Sequence, residues 1–273
     1  MVEKNNRLLA CLTLFLLIVA GCAPSLKGQA MGTKLELVEQ LKAAQRRAEE
    51  NPKDPEAFYR LAIVLTGMGR LPEAIQAHEQ ALAFNPNETR VILAQGMVLA
   101  EMGQLSQAAS KLGKAAELAP HNPQPRLQLA LVYKRLGQLD KAEAELKRAL
   151  DISPRDSFIY TDLALLYARQ GRKDDSLRAL MKAIEMDPNN VLARNNLGLT
   201  LAQLGYLREA VKQLEKAVQI DPNDASTRVN LAALYEDQGQ LKEAESQLQR
   251  ALRLSPMLKG ARERLNRLLD RQK

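Results

Sequence analysis

Apolar residues in this chain recur at helical spacing, as in Leu163, Leu166 and Tyr167 and again in Leu177, Leu180 and Ile184. The same arrangement returns every 34 residues. Pro52, Pro86, Pro120, Pro154, Pro188, Pro222 and Pro256 keep that interval without a slip, and Gly69, Gly103, Gly137, Gly171, Gly205 and Gly239 keep it midway between them. A proline lacks an N–H and biases the preceding residue away from the helical region, so each one ends a helix. A glycine takes the positive φ at which a helix stops. Each unit is therefore predicted to be two helices joined by a glycine turn. Small residues, Ala62, Gly96, Ala130, Ala164, Gly198 and Ala232 in the first helix and Ala74, Ala108, Ala142, Ser176, Ala210 and Ala244 in the second, let the two approach closely. Two residues past each proline stands Asp54, Asn122, Asp156, Asn190 or Asp224, a good N-cap; Glu88 is a poor one, and Asn87 is expected to cap in its place. Hairpins stacked on copies of themselves make an all-α solenoid, which presents a long surface instead of an enclosed pocket.

Laid in register, these positions resemble the tetratricopeptide repeat, with a large residue at position 4, Leu at 7, a small residue at 8, an aromatic at 11, Ala at 20, a large residue at 24, Ala at 27 and Pro at 32. Position 27 is Ala81, Ala115, Ala149, Ala183, Ala217 and Ala251 in turn. Leu61, Leu129, Leu163, Leu197 and Leu231 at position 7, with Leu65, Leu99, Tyr133, Tyr167, Leu201 and Tyr235 at position 11, are expected in the core. Six copies fit, at 55–88, 89–122, 123–156, 157–190, 191–224 and 225–258. The resemblance implies a right-handed α-solenoid of six hairpins. Position 4 departs from it, reading Phe58, Ile92, Arg126, Tyr160, Arg194 and Arg228, so that half the copies carry Arg where an aromatic packs. His78 at position 24 of the first copy and Gln95 at position 7 of the second replace leucines, and looser packing of the first two repeats is expected there. Residues 34–51 are read as an N-terminal capping helix on the stripe Leu37, Leu41, Ala44 and Ala48, with Arg47 breaking the family pattern. Residues 259–273 are read as a C-terminal capping helix, in which Leu265 and Leu269 continue the core while Arg262, Arg264, Arg267, Asp270 and Arg271 face water.

Lys4 and Arg7 precede an apolar run from Leu8 to Ala20, shorter than the roughly 20 residues that span a bilayer and right for the apolar segment of an export signal. The run ends in Val19, Ala20, Gly21 and Cys22, which resembles the bacterial lipobox. That resemblance implies a signal peptide over 1–21, lipidation of Cys22 as the first mature residue, and a lipidated tether over 22–33. Several acyl chains hold a protein to a membrane far more firmly than one. By resemblance to enteric lipoproteins, Ala23 in place of Asp favours the outer membrane, on its periplasmic face. The small, polar stretch from Ala23 to Gly32 reaches about 35 Å at full extension, which keeps the solenoid near the lipid. Cys11 falls in the removed segment and Cys22 is blocked as a thioether, so neither a disulfide nor a zinc site is expected.

Composition changes this picture little. The 39 basic and 32 acidic residues give a net charge of +7, but the two signs are interspersed as on solvated helix faces, and no nucleic-acid partner is expected. Of the two histidines, His78 sits at a packing position and His121 lies in a loop between Pro120 and Pro123. No phosphate loop, HExxH or nucleophile-elbow motif occurs. Neither catalytic residues, a cofactor nor a metal site is expected, and the chain does not read as an enzyme.

What remains is recognition. The resemblance implies a concave groove lined by the first helices of successive repeats. Position 6 reads Arg60, Ala94, Gln128, Asp162, Asn196 and Asn230, so the last four would form a ladder of amide or carboxylate groups. In some family members a comparable asparagine ladder grips the backbone of an extended peptide. Leu127, Leu131, Phe158, Leu165, Leu192 and Leu199 flank the ladder and suit apolar side chains or an amphipathic helix. Positions 5 and 9 are mostly apolar, which disfavours the clamp for a C-terminal carboxylate found elsewhere in the family. The preferred expectation is a protein or peptide client and a role as envelope assembly factor, resembling the tetratricopeptide pilotins of the type IV pilus secretin. An adaptor for peptidoglycan hydrolases or synthases, or a self-associating scaffold forming homo-oligomers, are the alternatives.

Overall fold

The structure is a computed structural model and describes residues 34–258 and 260–271. The signal peptide, Cys22 and the tether lie outside the described residues. Within them the chain forms fourteen helices and no strand: α1 (Lys34–Glu50), α2 (Pro55–Gly67), α3 (Leu71–Phe84), α4 (Thr89–Glu101), α5 (Leu105–Leu118), α6 (Pro123–Arg135), α7 (Leu139–Ile152), α8 (Ser157–Arg169), α9 (Lys173–Met186), α10 (Val191–Gln203), α11 (Leu207–Ile220), α12 (Ala225–Asp237), α13 (Leu241–Leu254) and α14 (Ala261–Asp270). They divide into two compact units, one ending at Gln138 after α6 and one beginning at Leu139 with α7.

Turns and caps follow the sequence pattern with one exception. All six turn glycines have φ between 72 and 87°. In the first turn the Gly69 N–H donates to Thr66 O and the Arg70 N–H to Leu65 O, both at 2.9 Å, which satisfies carbonyls that the helix end would leave open. Asp54, Asn122, Asp156, Asn190 and Asp224 each accept a hydrogen bond from a backbone N–H of the helix they open. Asn190 does more. Its Nδ2 also donates to Ser157 Oγ at 3.1 Å and Thr161 Oγ1 at 3.4 Å on α8. Asn87 does not cap α4: the N-cap position falls on Glu88, which makes no side-chain cap bond. Asn87 stands one residue too early, and its N–H is held instead by Asn85 Oδ1 at 3.3 Å.

The small-residue series define the core. The six alanines of position 27 are all 0% exposed, as are Ala74, Ala108, Ala142, Ala210 and Ala244. Of the large residues expected there, Leu61, Tyr133, Leu201 and Tyr235 are only half-buried. Tyr235 keeps its hydroxyl at the edge, donating to Glu215 Oε1 at 2.7 Å. The second hairpin is not loose. A Cβ added to Gly96 would stand 2.8 Å from Leu112 Cγ, and one on Gly198 at the same distance from Leu214 Cγ. What distinguishes the first unit is chemical: Tyr59 Oη, both ring nitrogens of His78 and Gln95 Oε1 are buried without a hydrogen-bond partner.

Two of the arginines at position 4 are not packing defects. Arg194 donates through Nε to Pro188 O at 2.8 Å and through Nη1 to Gln213 Oε1 at 3.0 Å. Arg228 repeats this on Pro222 O and on Gln247 Oε1, and Tyr160 Oη reaches Pro154 O at 3.2 Å. All three tie the start of a hairpin to the proline turn before it. In α1, Leu41 and Ala48 are buried, as the stripe predicts. In α14 the inward residues are Ala261 and Leu268, with Leu265 half-buried, while Leu269 is 36% exposed. The expected core residue Leu269 lies about 100° around the helix from Leu268 and turns outward.

Candidate binding face on the first helices

In the second unit α8, α10 and α12 are the first helices of three successive hairpins, each in contact with the next. Helical spacing brings positions 2, 6 and 9 to one side. Phe158 (64% exposed), Leu192 (49%) and Leu165 (36%) stand out there, with Leu199 half-buried, so the apolar lining expected on these helices is present and uncovered.

Asp162, Asn196 and Asn230 are half-buried on the same three helices, but they do not form a uniform ladder. Asp162 is not free. Asn196 Nδ2 donates back to Leu192 O of its own helix at 2.8 Å. Asn230 Nδ2 donates to Asn195 Oδ1 at 2.9 Å, and the same oxygen accepts from Thr227 Oγ1 at 3.3 Å. Asn195 is the residue that sequence reasoning missed. Its signal was present: position 5 otherwise reads Tyr59, Leu93, Leu127, Thr161 and Val229, and the amide breaks that series. Once these bonds are made, Asn196 Oδ1, Asn230 Oδ1 and Asn195 Nδ2 have no partner among the described residues, which leaves two acceptors and one donor group beside the apolar side chains.

Leu127, Gln128 and Leu131 are on α6 and belong to the first unit, where Leu131 is 48% exposed and the other two are half-buried. The rest of position 6 in that unit offers no amide. Ala94 is 1% exposed, and Arg60 pairs with Glu56 at 2.9 Å, a carboxylate that Arg90 also reaches at 3.3 Å. Burial pushes the pKa of His78 down to about 4, so its ring is neutral at pH 7. His121 is exposed. Among the described residues no group of three or more His, Cys, Asp or Glu side chains could hold a metal ion, and no helix is long and apolar enough to cross a membrane.

Paired helices packed through alanine seams, with glycine turns, proline stops and an uncovered apolar and amide face, define a tetratricopeptide-type array, a fold of the protein-interaction scaffold type. The chain belongs to the family of the cilia and flagella-associated protein 70 C-terminal domain, a tetratricopeptide-repeat family whose model matches residues 25–268. Among solved structures, a chain of the APC/C hetero-tetramer Cut9-Hcn1 is 18% identical with a TM-score of 0.64, over 86% of this chain and 46% of its own. Yeast Tom70 is 18% identical with a TM-score of 0.64, over 87% of this chain and 60% of its own. YrrB, a TPR protein with an unusual peptide-binding site, is 22% identical with a TM-score of 0.52, over 69% of this chain and 97% of its own. The chain thus spans less than two thirds of the Cut9-Hcn1 and Tom70 chains it resembles, and these identities carry the fold alone. No curated protein matches the sequence.

Proposed function

We propose that the protein is a non-catalytic scaffold, exported and held by lipid on Cys22 at the periplasmic face of the outer membrane. It grips an extended segment of a protein client on the first-helix face of its second unit, in the manner of the pilotins that serve the type IV pilus secretin. The observation that carries the client site is the placement of unspent amide atoms on Asn195, Asn196 and Asn230 beside exposed Phe158, Leu165 and Leu192. An extended backbone offers alternating N–H and C=O groups that need both donors and acceptors when they leave water, and amide side chains supply both. Apolar side chains of the client would pack against the exposed Phe158 and Leu192. YrrB, similar in fold, is itself a protein with a peptide-binding site.

The test is to recover the client with the chain from residue 23 onward and titrate it against a variant carrying Asn196→Ala and Asn230→Ala. With circular dichroism confirming the fold, binding should weaken about a hundredfold, since each change leaves a peptide group unpaired. A folded double variant that binds as tightly as the parent refutes the site.

A further inference from the structure

The last hairpin differs from the others at the end of its second helix, where basic residues stand at both of two positions three apart and a methionine follows the proline. Position 26 is basic in the second to fifth copies, at Lys114, Arg148, Lys182 and Lys216; in the second to fourth it is followed three residues later by an acid, Glu117, Asp151 or Glu185, and in the fifth by the neutral Gln219. Lys182 Nζ and Glu185 Oε2 are 2.8 Å apart. In the sixth copy the two positions are Arg250 and Arg253, both exposed. The residue after the proline is polar in six places, Lys53, Asn87, His121, Arg155, Asn189 and Asn223, and becomes Met257 in the seventh. Met257 is 89% exposed and Leu254, three residues before it, is 42% exposed. Residues 250–271 carry seven basic side chains and two acidic ones, in a chain that is otherwise nearly balanced.

Arg250, Arg253 and Arg262 have no carboxylate partner among the described residues. Their charge is felt inside: Arg228, 6% exposed, is held below the ordinary arginine value by burial and by the fields of Arg250 and Arg253, against the opposing pull of Asp221 and Asp224. Like charges kept together without a counter-ion are relieved by an external anion. An exposed methionine and leucine that fall between Arg253 and Arg262 in the sequence suit a surface that is apolar just beneath its charges.

We propose that this edge, the end of α13 and the turn into α14, lies on an anionic membrane, with the guanidinium groups of Arg250, Arg253 and Arg262 on lipid phosphates and Met257 and Leu254 in the boundary between headgroups and acyl chains. The contact stands independently of the lipid on Cys22 and of any client. It is a second hold on the membrane, from the opposite end of the sequence.

The experiment uses the chain from residue 23 onward, which keeps every described residue and lacks the anchor, in sedimentation with vesicles of phosphatidylcholine alone or mixed with phosphatidylglycerol. Binding should require phosphatidylglycerol and fall as salt is raised. Replacing Arg250 and Arg253 by Gln should weaken it about thirtyfold, and Met257→Ser about tenfold. Replacing Lys212 and Lys216 by Gln, which removes the same charge from exposed positions of α11, should leave it nearly unchanged. The proposal is overturned by failure to bind the anionic vesicles, or by equal loss in the two double variants. It is also overturned if inorganic phosphate at matched ionic strength releases the protein, which would make the edge a phosphate site and not a membrane contact.

Discussion

At position 4 of the last three hairpins, Tyr160, Arg194 and Arg228 direct a polar tip to the same acceptor, the carbonyl of the proline that closes the hairpin before. Two unlike side chains thus solve one problem, and the longer reaches a glutamine as well. Arg228→Leu should cost about 1 to 2 kcal/mol in urea unfolding and Tyr160→Phe about 1 kcal/mol or less, because the first loses charge-assisted bonds and the second a single neutral one. His78 makes the opposite kind of statement. Its ring titrates near 6.5 when unfolded and at about 4 when folded, so burial favours the neutral form. Above pH 6.5 both states leave it neutral and stability is whole. As the pH falls from about 6.5 to about 4 the unfolded chain takes up the proton first, and about 3 kcal/mol is lost. The stability of the parent relative to His78→Leu, measured by urea unfolding at successive pH values, should fall across that window as the pH is lowered; a constant difference would show the ring to be accessible to protons in the folded state.

At the scale of the helix, glycine carries two meanings. Gly198 sits where α11 presses on α10, and Gly198→Ala should destabilise by about 1 to 3 kcal/mol because Leu214 and the Ala210 carbonyl leave no room for a methyl group. Gly113 lies inside α5 with nothing within 4 Å of an added Cβ, and Gly113→Ala should stabilise by about 0.5 to 1 kcal/mol. Thermal unfolding of the two variants checks both signs. Helix ends were legible in the sequence because glycine and proline act on their own backbone. The cap of α4 and the inward face of α14 were not, since an offset of one residue decides each and composition does not register it. The amide face was half legible. Asn196 and Asn230 follow from the period, but the role of Asn195 depends on which neighbour its oxygen meets 35 residues away, a matter of packing that no local pattern records.

Over the whole molecule, one period written six times builds two units, each with its own alanine-lined core. On the proposed anchoring, Cys22→Ser should abolish incorporation of labelled fatty acid and leave a soluble or uncleaved protein, because a hydroxyl is a far poorer nucleophile than a thiolate. Label persisting on that variant would remove the anchor from the account. Within the second unit, Asn190 has a bearing on folding order. The carboxylates that cap α8 and α12 can only accept hydrogen bonds, whereas this amide holds the first turn of α10 with its oxygen and grips Ser157 and Thr161 of α8 with its nitrogen. The first turn of the fifth hairpin is thereby steadied by the presence of the fourth, as Asn195 on α10 in turn meets Thr227 and Asn230 of the sixth, so that each hairpin of this unit helps to fix the start of the one after it.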